Sequence, residues 1–427
     1  MIRFFYSFLL TLVSPFFLYH LYKFVSNKPK FGNRWKEHFG YTPSLPATAK
    51  APIWIHAVSV GEVLAVTALI KAIKEQNPTQ TIVITTTTST GAHEASKLGS
   101  LVEHRYMPLD FTFAINSFIK AIKPKALFIM ETELWPNTLF RCQKNNIPIT
   151  IINARLSQRS AKRYKKLPFI FDLLLNNINF VLAQTEQDAQ RFIDLGLKTD
   201  QINITGSIKF DISVMDSQRQ QAKQLRDNIG QSREVWIAAS THKGEDEQLI
   251  HAHQKLLLNK PNSLLILVPR HPERFLSVKE LTENSGLSVV TRSSKQAVSD
   301  STQVYLGDSM GEMMILLGAA DICFIAGSLI GDKVGGHNLL EAAALEKPIL
   351  NGPSYFNFKE ITEQLTSLGA CTICADSNEI SDSLNELFND KQKCLDQGKM
   401  ALDFVQKNQG ALQRTAQAVQ NIIDNKL

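Results

Sequence analysis

The stretch Pro52-Ile-Trp-Ile-His-Ala-Val-Ser-Val-Gly-Glu62 decides the fold of the first half of the chain. Its apolar run at 53–58 predicts a buried strand that ends in the turn 59–61. Apolar residues then recur at helical spacing as far as Asn77-Pro78, which predicts a helix. A strand, a glycine turn and a helix in this order form the edge of an open α/β sheet at which ligands bind.

Glu62 is expected at the N-terminus of this helix, where its carboxylate is placed to accept a proton. The alternative is a structural role, in which the side chain only offsets the positive end of the helix dipole. The two interpretations are equally good for this stretch alone, and the rest of the chain favours the first.

The same alternation of strand-like runs and helical patterns continues through both halves of the chain, which predicts parallel sheets with helices on both faces. A polar, Gln-rich stretch at 216–231 is expected to separate the halves. The predicted fold class is therefore α/β, with two Rossmann-like domains facing each other across a cleft. The predicted strands lie at 53–58, 81–86, 126–130, 149–152, 180–183, 235–239, 264–268, 289–291, 304–306, 321–326 and 348–350.

Composition limits the classes of function. The 427 residues are 44% hydrophobic and 20% charged, which is typical of globular domains with full cores. The net charge of +6 is spread along the chain, so it suits an anionic membrane surface or a phosphorylated substrate better than nucleic acid. Five scattered cysteines indicate a reducing compartment, and the isolated pair Cys371 and Cys374 lacks the further ligands of a zinc site.

The N-terminal residues 4–22 are almost wholly apolar and carry no Asp, Glu, Lys or Arg. This length suffices to cross a bilayer, and the basic residues at 23–36 would hold the downstream chain on the cytoplasmic side. A signal peptide is the alternative, but the run has no small-residue cleavage motif after it. We therefore expect an uncleaved anchor that either spans the membrane or lies in its interface.

Polar residues follow several predicted strands of the first half. Glu131 and Glu133 come after the strand at 126–130, on the edge of the sheet expected to carry Glu62. The arginines of Asn153-Ala-Arg-Leu-Ser-Gln-Arg-Ser160 suit an acidic sugar or a phosphate, and Lys209 adds a further cation. The alternative is that Glu131 and Glu133 have no function beyond that of ordinary carboxylates in a solvated loop.

The second half has a comparable set of strand ends. Ser240 and Thr241 follow one predicted strand, and Arg270 follows the next. The segment 326–341 contains four glycines, whose backbone amides can approach an anion, and a helix is expected to begin near Asn338. Glu341, one turn further, is placed to bind ribose hydroxyls. A purely structural glycine loop is the alternative.

Several common chemistries lack their motifs. The chain has no HExxH, no GxSxG and no Walker or GxGxxG loop, and no DxD near a strand end. Metalloprotease, Ser-His-Asp hydrolase, NTPase and dinucleotide-binding functions are therefore not supported, and metal-dependent transfer from a nucleotide sugar is disfavoured.

Taken together, six short motifs resemble the Kdo transferases, the 3-deoxy-D-manno-octulosonate transferases of lipopolysaccharide assembly. They occur in the family's order from one end of the chain to the other. The motifs are Ser59-Val-Gly-Glu62, Glu131-Thr-Glu-Leu-Trp-Pro136, Asn153-Ala-Arg-Leu-Ser157, Pro269-Arg-His271, Met310-Gly-Glu312 and Gly336-His-Asn338 with Glu341.

The resemblance implies a GT-B fold and a set of site residues. Glu62 corresponds to the proton acceptor, and Glu131 and Lys209 fall where the family assists the transition state. No metal is implied. The contacts to the donor CMP-Kdo would come from Pro269, Arg270, Met310, Gly311, Glu312, Asn338, Leu339, Leu340 and Glu341. Further substrate contacts are expected at Ser59, Gly61, Asn153, Arg155, Ser240, Thr241, Gly336 and His337.

The resemblance also implies an inverting enzyme of the cytoplasmic face of the inner membrane that adds Kdo to the lipid A precursor, lipid IVA. Residues 1–25 would form the anchor, 26–215 the acceptor-binding domain, 216–405 the CMP-Kdo-binding domain, and 406–427 a final helix able to pack back on the first domain. Two alternatives stay open: another GT-B transferase that uses a UDP-sugar on a lipid acceptor, and a membrane-anchored, inactive sugar-nucleotide sensor.

Overall fold

The computed structural model describes residues 2–22, 29–46, 50–166 and 174–424. The chain divides into two compact units. Unit 1 comprises Met1–Asp211 and Gln409–Leu427, and unit 2 comprises Ile212–Asn408.

Unit 1 is built on a parallel sheet of seven strands. Its strands are β1 Ile53–His56, β2 Ile82–Thr86, β3 Glu103–Tyr106, β4 Ala126–Met130, β5 Ile149–Ala154, β6 Phe180–Ala183 and β7 Ile202–Ile204. The helices described in this unit are α1 Ile2–Tyr22, α2 Val60–Gln76, α3 Ser89–Ser96, α4 Thr112–Ile122, α5 Pro136–Lys144, α6 Gln158–Lys165 and α7 Glu186–Ile193, together with the C-terminal α16 Ala411–Ile423.

Unit 2 repeats this architecture with a second parallel sheet of seven strands. Its strands are β8 Val235–Thr241, β9 Leu264–Pro269, β10 Val289–Thr291, β11 Val304–Leu306, β12 Ile322–Ile325, β13 Ile349–Asn351 and β14 Cys371–Ile373. Its helices are α8 Asp216–Ile229, α9 Asp246–Asn259, α10 Phe275–Asn284, α11 Met313–Ala319, α12 Leu340–Ala344, α13 Lys359–Ser367, α14 Ser377–Asn389 and α15 Lys391–Asn408.

The strand order of each sheet reverses at one point. In unit 1 the order is β3-β2-β1-β4-β5-β6-β7. β2 and β3 are added on one side of β1, and β4 to β7 are then added on its other side. In unit 2 the order is β10-β11-β9-β8-β12-β13-β14, and the reversal lies between β8 and β12. Doubly wound sheets bind ligands beyond the carboxyl ends of the strands at such a reversal.

The two sheets have the same kind of core. The central strands are buried on both faces, which explains their continuous apolar sequence. The second residue of β1 is Trp54 and that of β8 is Trp236, and both side chains are 0% exposed. Their indole N–H groups are paired, with Thr85 Oγ1 at 2.8 Å and with His253 Nδ1 at 3.1 Å. Each first strand is thereby fixed by a large buried side chain.

The structure contains the strands that the sequence predicts and adds three others. The additional strands are β3, β7 and β14, and all three lie at a sheet edge. β3 reads Glu-His-Arg-Tyr and β7 reads Ile-Asn-Ile, so neither has the apolar run of a central strand. An edge strand is paired on one side only and can keep polar residues.

The stretch 216–231 begins just beyond the division of the chain between Asp211 and Ile212 and lies inside unit 2. It forms helix α8, which packs within unit 2 through Ala222, Leu225 and Ile229. Gly318 of α11 permits this close packing, because a Cβ at that position would lie 2.7 Å from Ala222 Cβ. Three buried residues at helical spacing are enough to dock a helix that is otherwise polar.

The final helix α16 packs within unit 1. Its buried residues Ala411, Ala416 and Val419 join the same hydrophobic cluster as the buried face of α2. Asp211 fixes its first turn by accepting hydrogen bonds from the amides of Gly410 and Leu412, both at 2.7 Å. The C-terminal segment is thus an integral part of unit 1.

Helix α1 lies against unit 1 along one face. Asn137 Nδ2 donates to Ser7 Oγ at 3.0 Å, and the Tyr22 hydroxyl lies 2.6 Å from His38 Nδ1. Across the described residues, no helix combines the length and the apolar character needed to cross a bilayer. The outward face of α1 exposes large apolar side chains, namely Phe4, Phe5, Phe8, Leu12, Phe16 and Tyr19.

Candidate functional site

Glu62 lies in the first turn of α2, directly beyond the carboxyl end of β1. Ser59 caps the helix by accepting a hydrogen bond from the Glu62 amide at 3.3 Å. In return, the Glu62 carboxylate accepts hydrogen bonds from Val58 N at 2.9 Å and from Ser59 Oγ at 3.0 Å. This reciprocal capping fixes the side chain but uses only part of its capacity to accept hydrogen bonds, since a carboxylate has about four acceptor positions.

The pKa of Glu62 is raised above its ordinary value, chiefly because the group is partly buried. The negative charges of Glu131 and Glu133 raise it further, while the hydrogen bonds from Val58 and Ser59 oppose the change. A carboxylate with a raised pKa and a free acceptor position is suited to take a proton from a hydroxyl group. The geometry therefore favours the catalytic interpretation of Glu62 over a role in helix capping alone.

Glu131 and Lys209 form an ion pair close to Glu62. The Lys209 Nζ to Glu131 Oε1 distance is 2.9 Å, and both side chains are partly exposed. Burial and the charge of Glu131 raise the pKa of Glu133. Because Glu131 and Glu133 both act electrostatically on Glu62, the three carboxylates share one edge of the sheet, as the sequence predicts. They follow β1 and β4, the two strands at the reversal of the strand order.

Three of the predicted site residues have a left-handed backbone that is uncommon outside glycine. Glu131 has φ +57°, Asn153 has φ +51° and Ser240 has φ +65°. Each lies at the carboxyl end of a strand. Strained conformations of this kind cluster at functional sites, where the surrounding structure holds them.

Asn153, a predicted substrate contact, has an internal side chain. It is 0% exposed, and its Oδ1 accepts a hydrogen bond from Ile208 N at 3.2 Å. Ile208 immediately precedes Lys209, so Asn153 holds the backbone that carries the lysine. In the adjoining loop, Arg155 accepts a hydrogen bond through its carbonyl from Thr132 Oγ1 at 2.9 Å, which ties the ends of β4 and β5 together.

In unit 2, Thr241, likewise a predicted substrate contact, is also an internal residue. Its side chain is 0% exposed and donates to Asp246 Oδ1 at 2.6 Å. Arg274 pairs with Asp246 and donates to the Thr241 carbonyl at 2.7 Å. The strand register shifts between Ala239 and Thr241, where Ser240 has its left-handed backbone. Ser240 is partly exposed and remains a candidate for binding.

In the glycine-rich segment 326–341, three backbone amides already bind a side chain of unit 2. The amides of Gly327, Ser328 and Leu329 donate to the Glu245 carboxylate at 2.8–2.9 Å. His242 N adds a fourth hydrogen bond at 2.9 Å, and Glu245 is 0% exposed. An internal anion thus binds these three amides. For the other glycines of the segment, anion binding stays a prediction.

The rest of the segment is shaped by its glycines. Gly327, Gly331, Gly335 and Gly336 all have positive φ. A Cβ at Gly327 would lie 2.7 Å from the ring of His337, so this glycine makes room for the imidazole. The amide of Gly336 donates to the Gly327 carbonyl at 2.8 Å, which closes the loop on itself.

His337 pairs with His242 across the loop. Their Nε2 atoms are 2.8 Å apart, and the rings stack with centroids 5.0 Å apart. Burial, with a smaller contribution from the charge of Arg270, lowers the pKa of His242 to about 4 and that of His337 to about 3. At neutral pH both rings are therefore uncharged, and one donates a hydrogen bond to the other.

Arg270, Asn338 and Glu341 lie in the same region. Asn338 Oδ1 accepts a hydrogen bond from Leu340 N at 3.1 Å and thereby caps α12. Burial raises the pKa of Glu341, while Asn338 and Arg270 oppose the change. Arg270 is exposed and acts electrostatically on Glu341 as well as on the histidines. Pro269 ends β9 and places Arg270 there.

Two predictions for this segment need correction. Helix α12 begins at Leu340 and has five residues, so its dipole is shorter than the sequence suggested. Leu339 and Leu340 are both 0% exposed, and their side chains belong to the core. A contact between either leucine and a ligand would have to come from the backbone.

The segment 310–312 forms a separate exposed corner. Met310 is 61% exposed and Gly311 has φ +82°. Glu312 is held by Arg292, with nitrogen-to-oxygen distances of 2.7 and 3.1 Å, and this pairing lowers the pKa of Glu312. Glu312 is thus fixed by the protein, whereas Met310 is free to cover a ligand.

Sequence reasoning missed Glu245, His242 and Arg292. A signal for Glu245 was available, because Gly244-Glu245 follows the first strand of unit 2 as Gly61-Glu62 follows the first strand of unit 1. The partner of Glu312 had no comparable signal, since Arg292 lies 20 residues away on another strand end.

The chain is similar to one family along most of its length. The sequence profile of the 3-deoxy-D-manno-octulosonic-acid transferase (kdotransferase) family matches residues 33–212. A 3-deoxy-D-manno-octulosonic acid transferase of Haemophilus influenzae is 39% identical over 414 residues, which cover 96% of this chain and 96% of that protein. Another from Bordetella pertussis is 31% identical over 386 residues, 88% of each chain.

Among solved structures, a UDP-GlcNAc 2-epimerase from Neisseria meningitidis bound to UDP-GlcNAc covers 87% of this chain with a TM-score of 0.56. All of that chain is covered, at 14% identity, so the likeness concerns the fold alone. Together with the two seven-stranded parallel sheets of the described residues, it confirms the predicted α/β fold class of the GT-B type.

Proposed function

Because this chain belongs to the 3-deoxy-D-manno-octulosonic acid (Kdo) transferase family, we propose that it transfers Kdo from CMP-Kdo to the lipid A precursor lipid IVA in lipopolysaccharide biosynthesis. The assignment of the reaction rests on similarity along 96% of the chain. The observation that carries the mechanism is the half-buried Glu62 carboxylate beside Glu131 and Glu133, at the reversal of the strand order in unit 1.

Unit 1 would act on the acceptor. Glu62 takes the proton from the primary hydroxyl of a glucosamine residue, and that oxygen forms a bond to the anomeric carbon of Kdo. The bond from this carbon to the CMP phosphate oxygen breaks on the opposite face, so the configuration inverts. Lys209, which Glu131 holds in place, presents its positive charge near the reacting atoms, and Arg155 is our candidate for a carboxylate or phosphate contact.

Unit 2 would hold the donor. The exposed guanidinium of Arg270 is placed to neutralise the phosphate of the departing CMP, and Glu341 to accept hydrogen bonds from ribose hydroxyls. The amides of 327–329 cannot assist, because Glu245 occupies them. We propose that transfer needs neither a metal nor a cofactor, with Arg270 supplying the charge that a metal supplies in other transferases.

The test of this function is transfer by the purified full chain. We expect CMP-Kdo and lipid IVA to yield a product whose mass is increased by Kdo residues, with release of one CMP per Kdo. UDP-sugars serve as competing donors. Transfer from a UDP-sugar alone would replace Kdo transfer by the second enzyme hypothesis, and binding of CMP-Kdo without transfer would indicate a sensor.

We also propose that the protein works at the cytoplasmic face of the inner membrane, with α1 in the membrane interface. One face of α1 is fixed to unit 1 by Ser7 and Tyr22, while the opposite face exposes a stripe of aromatic and aliphatic side chains. Such a helix binds a bilayer surface through its apolar face. Of the predicted basic segment, Lys23 and Lys28 lie outside the described residues, and Lys30, Arg34 and Lys36 follow in the described part.

Flotation with vesicles tests the interface proposal. We expect the full chain to float with phosphatidylglycerol vesicles and the triple variant Phe8→Ser, Leu12→Ser, Phe16→Ser to stay at the bottom of the gradient. A triple variant that floats as well as the unmodified chain would show that the stripe does not bind the membrane.

A further inference from the structure

Unit 1 contains an apolar pocket of ≈ 560 Å³, including its open mouth, beneath α1. One wall is the inner side of α1, and the other walls are the segment 107–111 and the side chains of Thr87 and Trp135. The α1 residues that line it are Leu10, Ser14 and Leu18. None of the residues assigned to proton transfer or to donor binding lines this pocket.

The polar groups of the pocket fall into two kinds. Asp110 is satisfied, because it accepts hydrogen bonds from Asn137 N at 2.9 Å and from Thr138 N at 2.7 Å, which fixes the start of α5. In contrast, Trp135 Nε1 and Thr87 Oγ1 are buried and have no hydrogen-bond partner among the described residues. Buried donors of this kind are rare in folded proteins, and each calls for a partner.

We propose that this pocket binds one acyl chain of the lipid acceptor, with the ester or amide carbonyl of the chain accepting a hydrogen bond from Trp135 Nε1. The proposal rests on the proposed function and names how unit 1 recognises its acceptor. An acyl chain matches both features of the pocket, since it is an apolar body that carries a carbonyl acceptor at one end.

The position of the pocket fits this occupant. Trp135 is two residues from Glu133 and four from Glu131, so one segment between β4 and α5 carries both a wall of the pocket and the two carboxylates that act on Glu62. The other wall, α1, exposes its outer side with Leu12 and Phe16, the surface that we propose faces the lipid. An acceptor whose sugar lies at Glu62 can therefore place a chain beneath α1 without leaving the interface.

The test fills the pocket and compares two acceptors. Ser14→Phe places a ring in the lined space, and Val13→Phe places the same ring on the neighbouring residue, which is 50% exposed. Burial of each methylene strengthens binding by roughly fourfold, so loss of even a few methylenes from the pocket is measurable. We expect Ser14→Phe to raise KM for lipid IVA at least tenfold and to leave kcat/KM for a deacylated glucosamine disaccharide phosphate unchanged. Val13→Phe should change neither value.

Direct labelling locates the chain. With a myristoyl probe that carries a diazirine at its methyl end, the full chain should be labelled in residues 107–111 or at Leu10, Ser14 or Leu18, and Ser14→Phe should lose this label. The proposal is overturned if Ser14→Phe and the unmodified chain have equal KM for lipid IVA, or if the label lies elsewhere. Failure of the proposed function is a different result, namely no transfer of Kdo to either acceptor by the unmodified chain.

A third experiment examines the proposed hydrogen bond from Trp135 Nε1 to the carbonyl of the acyl chain. We expect Trp135→Phe to weaken binding of an acceptor with ester-linked and amide-linked chains several-fold and to leave an ether-linked analogue unaffected. Equal weakening of both acceptors would assign Trp135 to packing alone and remove the carbonyl contact from the proposal.

Discussion

Glu62 and Glu245 occupy equivalent places in the two units, yet their surroundings differ. Each follows a glycine after the first strand of its sheet, beside the strand at which the order reverses. Glu62 accepts two hydrogen bonds from its own turn and is half-buried, whereas Glu245 accepts four from backbone amides and is 0% exposed. One carboxylate keeps acceptor positions for a substrate, and the other has none left.

The difference shows that position in the fold does not determine what a carboxylate does. In unit 1 the strand opposite Glu62 ends in Glu131 and Glu133, whose charges raise the pKa of Glu62. In unit 2 the strand opposite Glu245 ends in Gly327, whose amide, with those of Ser328 and Leu329, satisfies the carboxylate. The reversal point is therefore the proposed reactive site in unit 1 and a structural anchor in unit 2.

The largest effect should come from Glu62→Gln. The amide is isosteric but cannot accept the proton, so kcat should fall by about 10²–10⁴-fold, the range for loss of a general base. Binding of CMP and the melting temperature should stay unchanged. Glu75→Gln, on the exposed end of the same helix, is the matched control and should keep full activity. Turnover of Glu62→Gln near that of the control would remove Glu62 from the proton transfer.

Glu245→Gln should instead affect stability. The amide group of glutamine would face backbone N–H groups that need an acceptor, and an unsatisfied buried hydrogen-bonding group costs about 1–3 kcal/mol. Urea unfolding should show this loss, and CMP should bind more weakly because the glycine-rich segment loses its anchor. Glu247→Gln, an exposed neighbour on α9, serves as control. A variant as stable as the control would show that the four hydrogen bonds do not hold the segment.

Asn153→Ala should have the next effect, because Asn153 holds the backbone next to Lys209. Removing Oδ1 leaves the Ile208 amide without its acceptor, and alanine tolerates φ +51° less well than asparagine. We expect about a tenfold loss of kcat at nearly unchanged KM for CMP-Kdo. Asn153→Asp keeps an acceptor at the same place and should retain most of the activity. If both variants lose activity equally, the hydrogen bond to Ile208 is not what matters.

Most of the fold was predictable from sequence, and the site only in part. Buried strands are apolar along their whole length, so β1, β4 and β8 stand out, whereas the edge strands β3, β7 and β14 lack that pattern. Turn glycines marked where the strands end. The choice between ligand contact and internal contact is made by tertiary neighbours, which is why the sequence does not reveal that the side chains of Asn153, Thr241 and Leu339 are buried.

The smallest effect should be a shift in the pH dependence of transfer. Glu62 must be ionised to act as a base, so activity falls as the pH decreases through its pKa, which burial and the neighbouring carboxylates hold above the ordinary 4.5. Glu133→Gln removes one of these negative charges and should move the acidic limb of kcat/KM to lower pH, because Glu133 is one of the groups that raise the pKa of Glu62. Glu245→Gln should leave the limb in place, because Glu245 belongs to the other unit and contributes nothing to the pKa of Glu62. A limb that moves with Glu245→Gln and not with Glu133→Gln would contradict the assignment of the reactive carboxylate to unit 1.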